Sequence, residues 1–151
     1  MKKLKVYIEN SVIGGYFDEE FEKHTKKLFE NFINGKYLPI ISSHVITELE
    51  NGAPDNVKNN MRTLNYEEFA VNEEMEKLAE KYMAEEIVTE KYYSDALHIA
   101  VATVLGVDVL VSWNFKHIVN LDKIRLFNSV NIREGYNFLE IRTPREVVSN
   151  D

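Results

Sequence analysis

The sequence predicts an α/β protein in which a parallel sheet is covered by helices on both faces. Three observations carry that prediction. Short apolar runs with strand character occur at residues 4–9, 38–42 and 107–111, and the segments between them show helical periodicity. Those connections are too long for hairpins, so successive strands return in the same direction. One helical segment, 94–105, is apolar almost all round and must be buried between other elements.

In chain order, Leu4, Val6 and Ile8 alternate with Lys5, Tyr7 and Glu9, and Gly14-Gly15 follow, so a first strand stops near Glu9. Between Glu19 and Asn34, the residues Phe21, Leu28, Phe29, Phe32 and Ile33 fall mostly three, four or seven apart, and Gly35 is placed to end that helix. Leu38 to Ser42 reads as a second strand. Ser43 is the expected N-cap of the next helix, whose apolar stripe is Val45, Ile46 and Leu49, with Glu48 off the stripe and Asn51-Gly52 and Pro54 closing it. Residues 55–64 carry Val57, Met61 and Leu64 at helical spacing, and Phe69 to Val71 is a short extended piece. From Glu73 to Ile87, Met75, Leu78, Ala79, Tyr82, Met83 and Ile87 give the clearest helix. Ser94 and Asp95 open the buried helix and Gly106 ends it. Val107 to Val111 is a buried strand that stops at Ser112-Trp113-Asn114, a polar loop region follows, and Phe138 to Ile141 is one more short strand before Thr143-Pro144.

No repeat or linker interrupts residues 1–151, so one domain is expected, and at that length folding removes roughly 68–70% of the unfolded chain's surface from water. With 44% hydrophobic and 28% charged residues the composition excludes disordered and fibrous classes. The absence of cysteine fits a reducing compartment, MKKLKVYIEN lacks the continuous apolar core of a secretory signal, and no apolar run approaches the ~18 residues of a membrane span. A cytoplasmic protein with no membrane partner is therefore expected. The 18 Lys and Arg against 25 Asp and Glu leave a formal charge of −7, which argues against electrostatic coating of nucleic acid.

In an open parallel sheet, ligands bind beyond the carboxyl ends of the strands. Those ends carry Glu9-Asn10-Ser11, Ser42-Ser43 and Ser112-Trp113-Asn114, while Glu48 and Asp95 sit early in helices that adjoin the same edge. Three carboxylates and an amide are thus expected to converge. Hard oxygens without cysteine or a paired-histidine motif suit Mg²⁺ or Mn²⁺ rather than zinc. Once bound, such cations present positive charge to a phosphate, so the acidic total does not exclude a nucleic-acid substrate.

The segments VYIENSVIGGYFD (6–18), ISSHVITELENG (41–52), YYSDALHIAVATVLGVDVLVSWNFKHIVN (92–120) and FLEIRTP (138–144), in that order, resemble a PIN domain, in particular a VapC-like toxin ribonuclease. The resemblance covers nearly the whole chain. It implies a three-layer α/β/α sandwich with a central parallel sheet, and metal-dependent hydrolysis of RNA phosphodiesters by a metal-activated water. The family's acids fall on Glu9, Glu48 and Asp95 as metal ligands, with Asn114 at the fourth position and Ser11 as the hydroxyl that supports the first acid. Two of these depart from the usual pattern: Glu9 replaces an Asp, and Asn114 supplies a carbonyl oxygen without charge. Three formal negative charges neutralise one divalent ion readily and hold two less tightly. Lys116 and His117 are weaker candidates for contact with an RNA phosphate. The resemblance also implies a homodimer and a cognate antitoxin partner.

Taken singly, each residue has a plainer role. Asp95 suits the first turn of a helix, Glu48 a solvated helix face, Glu9 a strand end, Asn114 a turn, Ser11 a cap and His98 a satisfied core position. Tyr16 and Phe17 fit either base stacking or packing on the following helix. Two further functions stay open on the sequence: a PIN-fold binding module without catalysis, and a nuclease that processes structured nucleic acid.

Overall fold

The computed structural model describes residues 2–148. Its strands are β1 (Leu4–Ile8), β2 (Tyr37–Ser42), β3 (Glu67–Phe69), β4 (Val109–Val111) and β5 (Ile141–Arg142). They form one sheet in the order β3-β2-β1-β4-β5, and every pairing is parallel. The helices are α1 (Asn10–Gly15), α2 (Glu22–Ile33), α3 (Ser43–Gly52), α4 (Asp55–Arg62), α5 (Glu73–Ala84), α6 (Tyr93–Leu105), α7 (Leu121–Arg133) and α8 (Pro144–Val148).

The chain lays down β1, β2 and β3 in one direction across the sheet and then returns to the other side of β1 for β4 and β5. Because parallel crossovers are right-handed, that reversal sends the two sets of helices to opposite faces. The packing agrees, since α2 lies against α1 and α8 while α5 lies against α6 and α7. The result is the expected α/β/α sandwich. Val6, Tyr7 and Ile8 are fully buried, so both faces of β1 are core and its sequence alternation does not mark a solvent face. The small residues Ala96, Ala100 and Ala102 let α6 pack closely, and Gly106 ends it at φ +66°.

Three local differences from the sequence reading have clear causes. Gly14-Gly15 closes a short helix, α1, rather than a turn after β1, because the Glu9 side chain caps it by accepting the Ser11 N–H. The N-cap of α3 is Ser42 rather than Ser43, its hydroxyl accepting the Val45 N–H. The region read as polar loop holds the 13-residue helix α7. Its apolar stripe is diluted: Asn128 and Asn131 are buried beside Phe127 and Val130, whereas Leu121, Leu126 and Ile132 are exposed. Asn128 donates to the Leu139 carbonyl at 3.1 Å and accepts the Leu139 N–H at 2.7 Å, which fastens the segment entering β5 to the helix. Asn131 donates to Asn128 and Thr103 and accepts the Tyr82 hydroxyl. β5 accordingly occupies 141–142 instead of 138–141, and β3 pairs at 67–69 instead of 69–71.

Gly15 is required by a close approach. A Cβ there would lie 2.9 Å from Trp113 Cδ1 and 3.1 Å from Thr25 Oγ1. Trp113 stacks on Phe21 at 4.5 Å and donates to Thr25 Oγ1 at 2.8 Å, so this contact fixes the loop after β4. Gly15→Ala should therefore cost about 1–3 kcal/mol by overpacking. Trp113 is the single tryptophan, and its fluorescence during urea unfolding measures both the loss and any local shift; an unchanged midpoint and emission maximum would contradict it.

Candidate active site

The strand order reverses between β1 and β4, and the carboxyl ends of these two strands carry Glu9 to Ser11 and Ser112 to Asn114. A cleft at that switch point is where doubly wound sheets bind ligands. Ser11 joins the two ends. Its hydroxyl donates to the Glu9 carboxylate, accepts the Trp113 N–H at 2.9 Å and lies 3.5 Å from Ser112 Oγ. Ser112 Oγ in turn accepts the Asn114 N–H at 2.9 Å. Glu9 is only 4% exposed, and burial pushes its carboxyl above the usual range against the opposing pull of His98 and the Ser11 and Ser112 hydrogen bonds.

Asp95 enters from the first turn of α6 and is half-buried. Burial raises its carboxyl too, and the nearby Glu48 charge adds to this, while His98 and a hydrogen bond from the Asn114 side chain work the other way. Asn114 Oδ1 accepts the His117 N–H at 2.9 Å, which turns its amide nitrogen toward Asp95. Among the described residues, neither Glu9 nor Asp95 has a lysine or arginine ion-pair partner. A buried and a half-buried acid without a lysine or arginine partner are a donor set that a hard divalent cation would neutralise, so the residues present fit such an ion.

Glu48 has a different environment. Its Oε2 accepts the Ser94 hydroxyl at 2.7 Å and its Oε1 lies 2.7 Å from His98 Nε2 and 3.7 Å from His44 Nε2. Burial opposes its ionisation, but the hydrogen bond and charge of His98, the Ser94 hydroxyl and His44 outweigh this and hold it at about 2. Glu9, Glu48 and Asp95 do not present oxygens all within 4.8 Å of one another; among the described residues the group that does so is His44, Glu48 and His98. His98 is buried and fully paired, as a core histidine should be, yet one partner is Glu48 and the other, at 2.8 Å from Nδ1, is Tyr7 Oη. The sequence analysis did not select His44, Ser94 or Tyr7. A signal was present: His44 and Glu48, and Ser94 and His98, are two pairs at i,i+4 on facing helices.

The weaker candidates separate. Lys116 is exposed, with Nζ 5.8 Å from the Tyr92 ring centroid. His117 is turned inward under Tyr92, at 3.8 Å between ring centroids, and neither ring nitrogen has a hydrogen-bond partner. Tyr16 packs on Phe29, while Phe17 stays exposed. A surface cleft of about 450 Å³ lies away from the acids, at the amino ends of β4 and β5 around Gly106, Asp108, Tyr136 and Phe138.

No protein-family model matches the chain and no curated protein matches it. Solved structures do. VapC20 of Mycobacterium tuberculosis, described as a sarcin-ricin loop cleaving toxin, superposes with a TM-score of 0.56 at 15% identity over 74% of this chain and 92% of that one. VapBC2 of Rickettsia felis, solved with a DNA fragment from its promoter, gives 0.55 at 16% identity over 91% and 98%. The fold is PIN-like, similar to that of these two structures. A tyrosyl-tRNA synthetase of Aeropyrum pernix is also similar, at TM-score 0.50 and 7% identity over 93% of this chain and 53% of that one. Identities this low establish the PIN fold and leave the activity to the chemistry of the site. No helix among the described residues is long and apolar enough to cross a membrane.

Proposed function

We propose that this PIN-fold chain is a Mg²⁺- or Mn²⁺-dependent endoribonuclease and the toxin half of a toxin–antitoxin pair. The observation that carries the reading is the pair of acids, buried Glu9 and half-buried Asp95, without a lysine or arginine partner near the switch point of the sheet. In this reading Glu9, Asp95 and Glu48 hold the cation. The cation, when bound, activates a water and stabilises charge on the oxygens of an in-line phosphoryl displacement.

The chain's own residues then have defined work. Ser11 fixes the Glu9 carboxylate and ties it to the loop after β4. The Asn114 amide holds Asp95 in orientation without adding charge. Ser94 and His98 occupy one side of each Glu48 oxygen and keep that carboxylate ionised at every physiological pH. Lys116 is the exposed cation closest in sequence to the site and is assigned to phosphate contact; His117, being buried, serves the packing of the loop instead. A cognate antitoxin, a homodimeric assembly and a cytoplasmic location complete the reading, and the likeness to VapBC2 supports the first of these.

Incubation of the purified protein with total RNA should give cleavage in Mg²⁺ or Mn²⁺ and none in EDTA. No cleavage where a control nuclease is active would overturn the reading. RNA retention without metal should be weak, given the charge of −7, and divalent ions should strengthen it more than lowering monovalent salt does. The engagement of both Glu48 oxygens by protein groups favours a second reading, a PIN-fold module that binds RNA or protein without cutting. Calorimetry with Mn²⁺ separates the two: the nuclease binds the ion and the module does not.

A further inference from the structure

His44 has no part in the reaction proposed above, and His98 enters it only by holding the Glu48 carboxylate. His44 comes from the first turn of α3 and His98 from the second turn of α6, so two helices converge on a carboxylate from different directions. A ring nitrogen of His98, a ring nitrogen of His44 and a Glu48 oxygen all lie within 4.8 Å of one another, with Glu48 Oε1 2.7 Å from His98 Nε2 and 3.7 Å from His44 Nε2, and the two rings are 4.6 Å apart between centroids.

The protons of this cluster can be placed. Glu48 is ionised and only accepts, so His98 Nε2 carries a hydrogen toward it, as does Ser94 Oγ. With the Ser94 hydrogen committed to Glu48, His44 Nε2 is the donor across its 2.7 Å contact with Ser94 Oγ. Both imidazoles thus direct a hydrogen on Nε2 into the cluster, and a cation takes its place when that hydrogen moves to Nδ1 of the same neutral ring or, from a doubly protonated ring, to solvent.

A second feature points the same way. Behind His98, Nδ1 is 2.8 Å from Tyr7 Oη, and Tyr7 Oη is 2.9 Å from Ser42 Oγ, all of it buried. Metal-ligating histidines characteristically have their other ring nitrogen fixed by such an outer partner, which sets ring orientation and tautomer. Here Nδ1–H can donate to Tyr7 and the Tyr7 hydroxyl to Ser42 while Nε2 faces the cluster. A tetrahedral centre with bonds of about 2.1 Å separates its ligands by roughly 3.4 Å, so moving from the hydrogen-bonded to the ligated arrangement takes shifts on the order of 1 Å.

We propose that His44, Glu48 and His98 form a binding site for a borderline divalent transition-metal ion such as Zn²⁺, Co²⁺ or Ni²⁺. Imidazole nitrogens with one carboxylate select these ions over Mg²⁺, which prefers oxygen donors. The site goes beyond the ribonuclease reading, with which it shares Glu48 as a ligand and His98 as the partner of that carboxylate.

Co²⁺ is the probe, because its visible absorption reports ligation directly. Titration should give a visible band saturating at one equivalent in the Asp95→Asn background, where the acid cluster is disabled. Adding His44→Ala should abolish the band, and His44→Gln serves if the alanine variant fails to fold by circular dichroism. Tyr7→Phe should weaken Co²⁺ affinity by about 10–100-fold, as loss of an outer partner does. No band in folded wild type, or a band unchanged by the His44 substitutions, overturns the proposal and leaves a hydrogen-bonded clamp on Glu48. The ribonuclease reading is judged separately, by RNA cleavage of the wild type in Mg²⁺ alone.

Discussion

Asp95→Asn is expected to abolish Mn²⁺-stimulated RNA cleavage and, at the same time, to raise the melting temperature of the metal-free protein at pH 8. The loss should exceed the roughly 10–100-fold that follows removal of a partner outside the first ring of ligands, because a ligand itself is neutralised. The gain in stability follows from burial, the main factor pushing the Asp95 carboxyl above its ordinary 3.8, with Glu48 adding to it and His98 and Asn114 opposing. Below pH 3.8 the acid is protonated in both folded and unfolded chains, and its charge costs nothing. As pH rises through the raised folded value, the unfolded chain ionises more easily than the folded one and stability is lost. Asn carries no charge at any pH, so the variant should gain over wild type above that range and not below it. Melting curves from pH 3 to 8 with EDTA, beside a cleavage assay, measure both effects. Full cleavage by the variant would remove Asp95 from the site, and a lower melting temperature at pH 8 would show that the ionised acid stabilises the fold.

Asn128→Leu should give the largest loss of stability among substitutions remote from the site. Leu fits the volume but can neither donate to the Leu139 carbonyl nor accept its N–H, and Leu139 is 2% exposed, too little for water to replace both bonds. Leaving two buried backbone groups unpaired, at about 1–3 kcal/mol each, predicts a loss of about 2–6 kcal/mol. Total stabilities of about 5–15 kcal/mol make that a large fraction. The midpoint of urea unfolding should fall accordingly, and amides of β5 should exchange faster than those of β1. An unchanged midpoint would mean that water reaches Leu139 and that the clamp contributes little.

Asn128 also explains why α7 was hidden in the sequence. Apolar periodicity locates helices that bury an oily stripe, and it located α2, α3, α5 and α6. In α7 Asn128 and Asn131 share the buried face with Phe127 and Val130 while Leu121, Leu126 and Ile132 face out, so apolar residues fall on both faces and the signal is blurred. β3 and β5, of three and two residues, are too short to impose a pattern and exist because a neighbouring strand pairs with them. α1 is six residues long and owes its start to a capping contact with Glu9.

For the site the division is similar. Glu9, Asp95, Asn114 and Ser11 could be chosen from the sequence because parallel-sheet chemistry gathers at strand ends and adjoining helix starts, and both are visible as polar punctuation after apolar runs. The sequence by itself thus determined the parallel α/β plan and the edge at which polar groups collect, since both follow from local periodicity and chain direction. Only the tertiary structure decided that β4 lies beside β1, that the Ser11 hydroxyl bonds across that junction, and that Glu48 is engaged by His98 and Ser94 instead of standing free beside Asp95. Those outcomes depend on strand order and on which helix faces meet, contacts between residues tens of positions apart that no local pattern encodes.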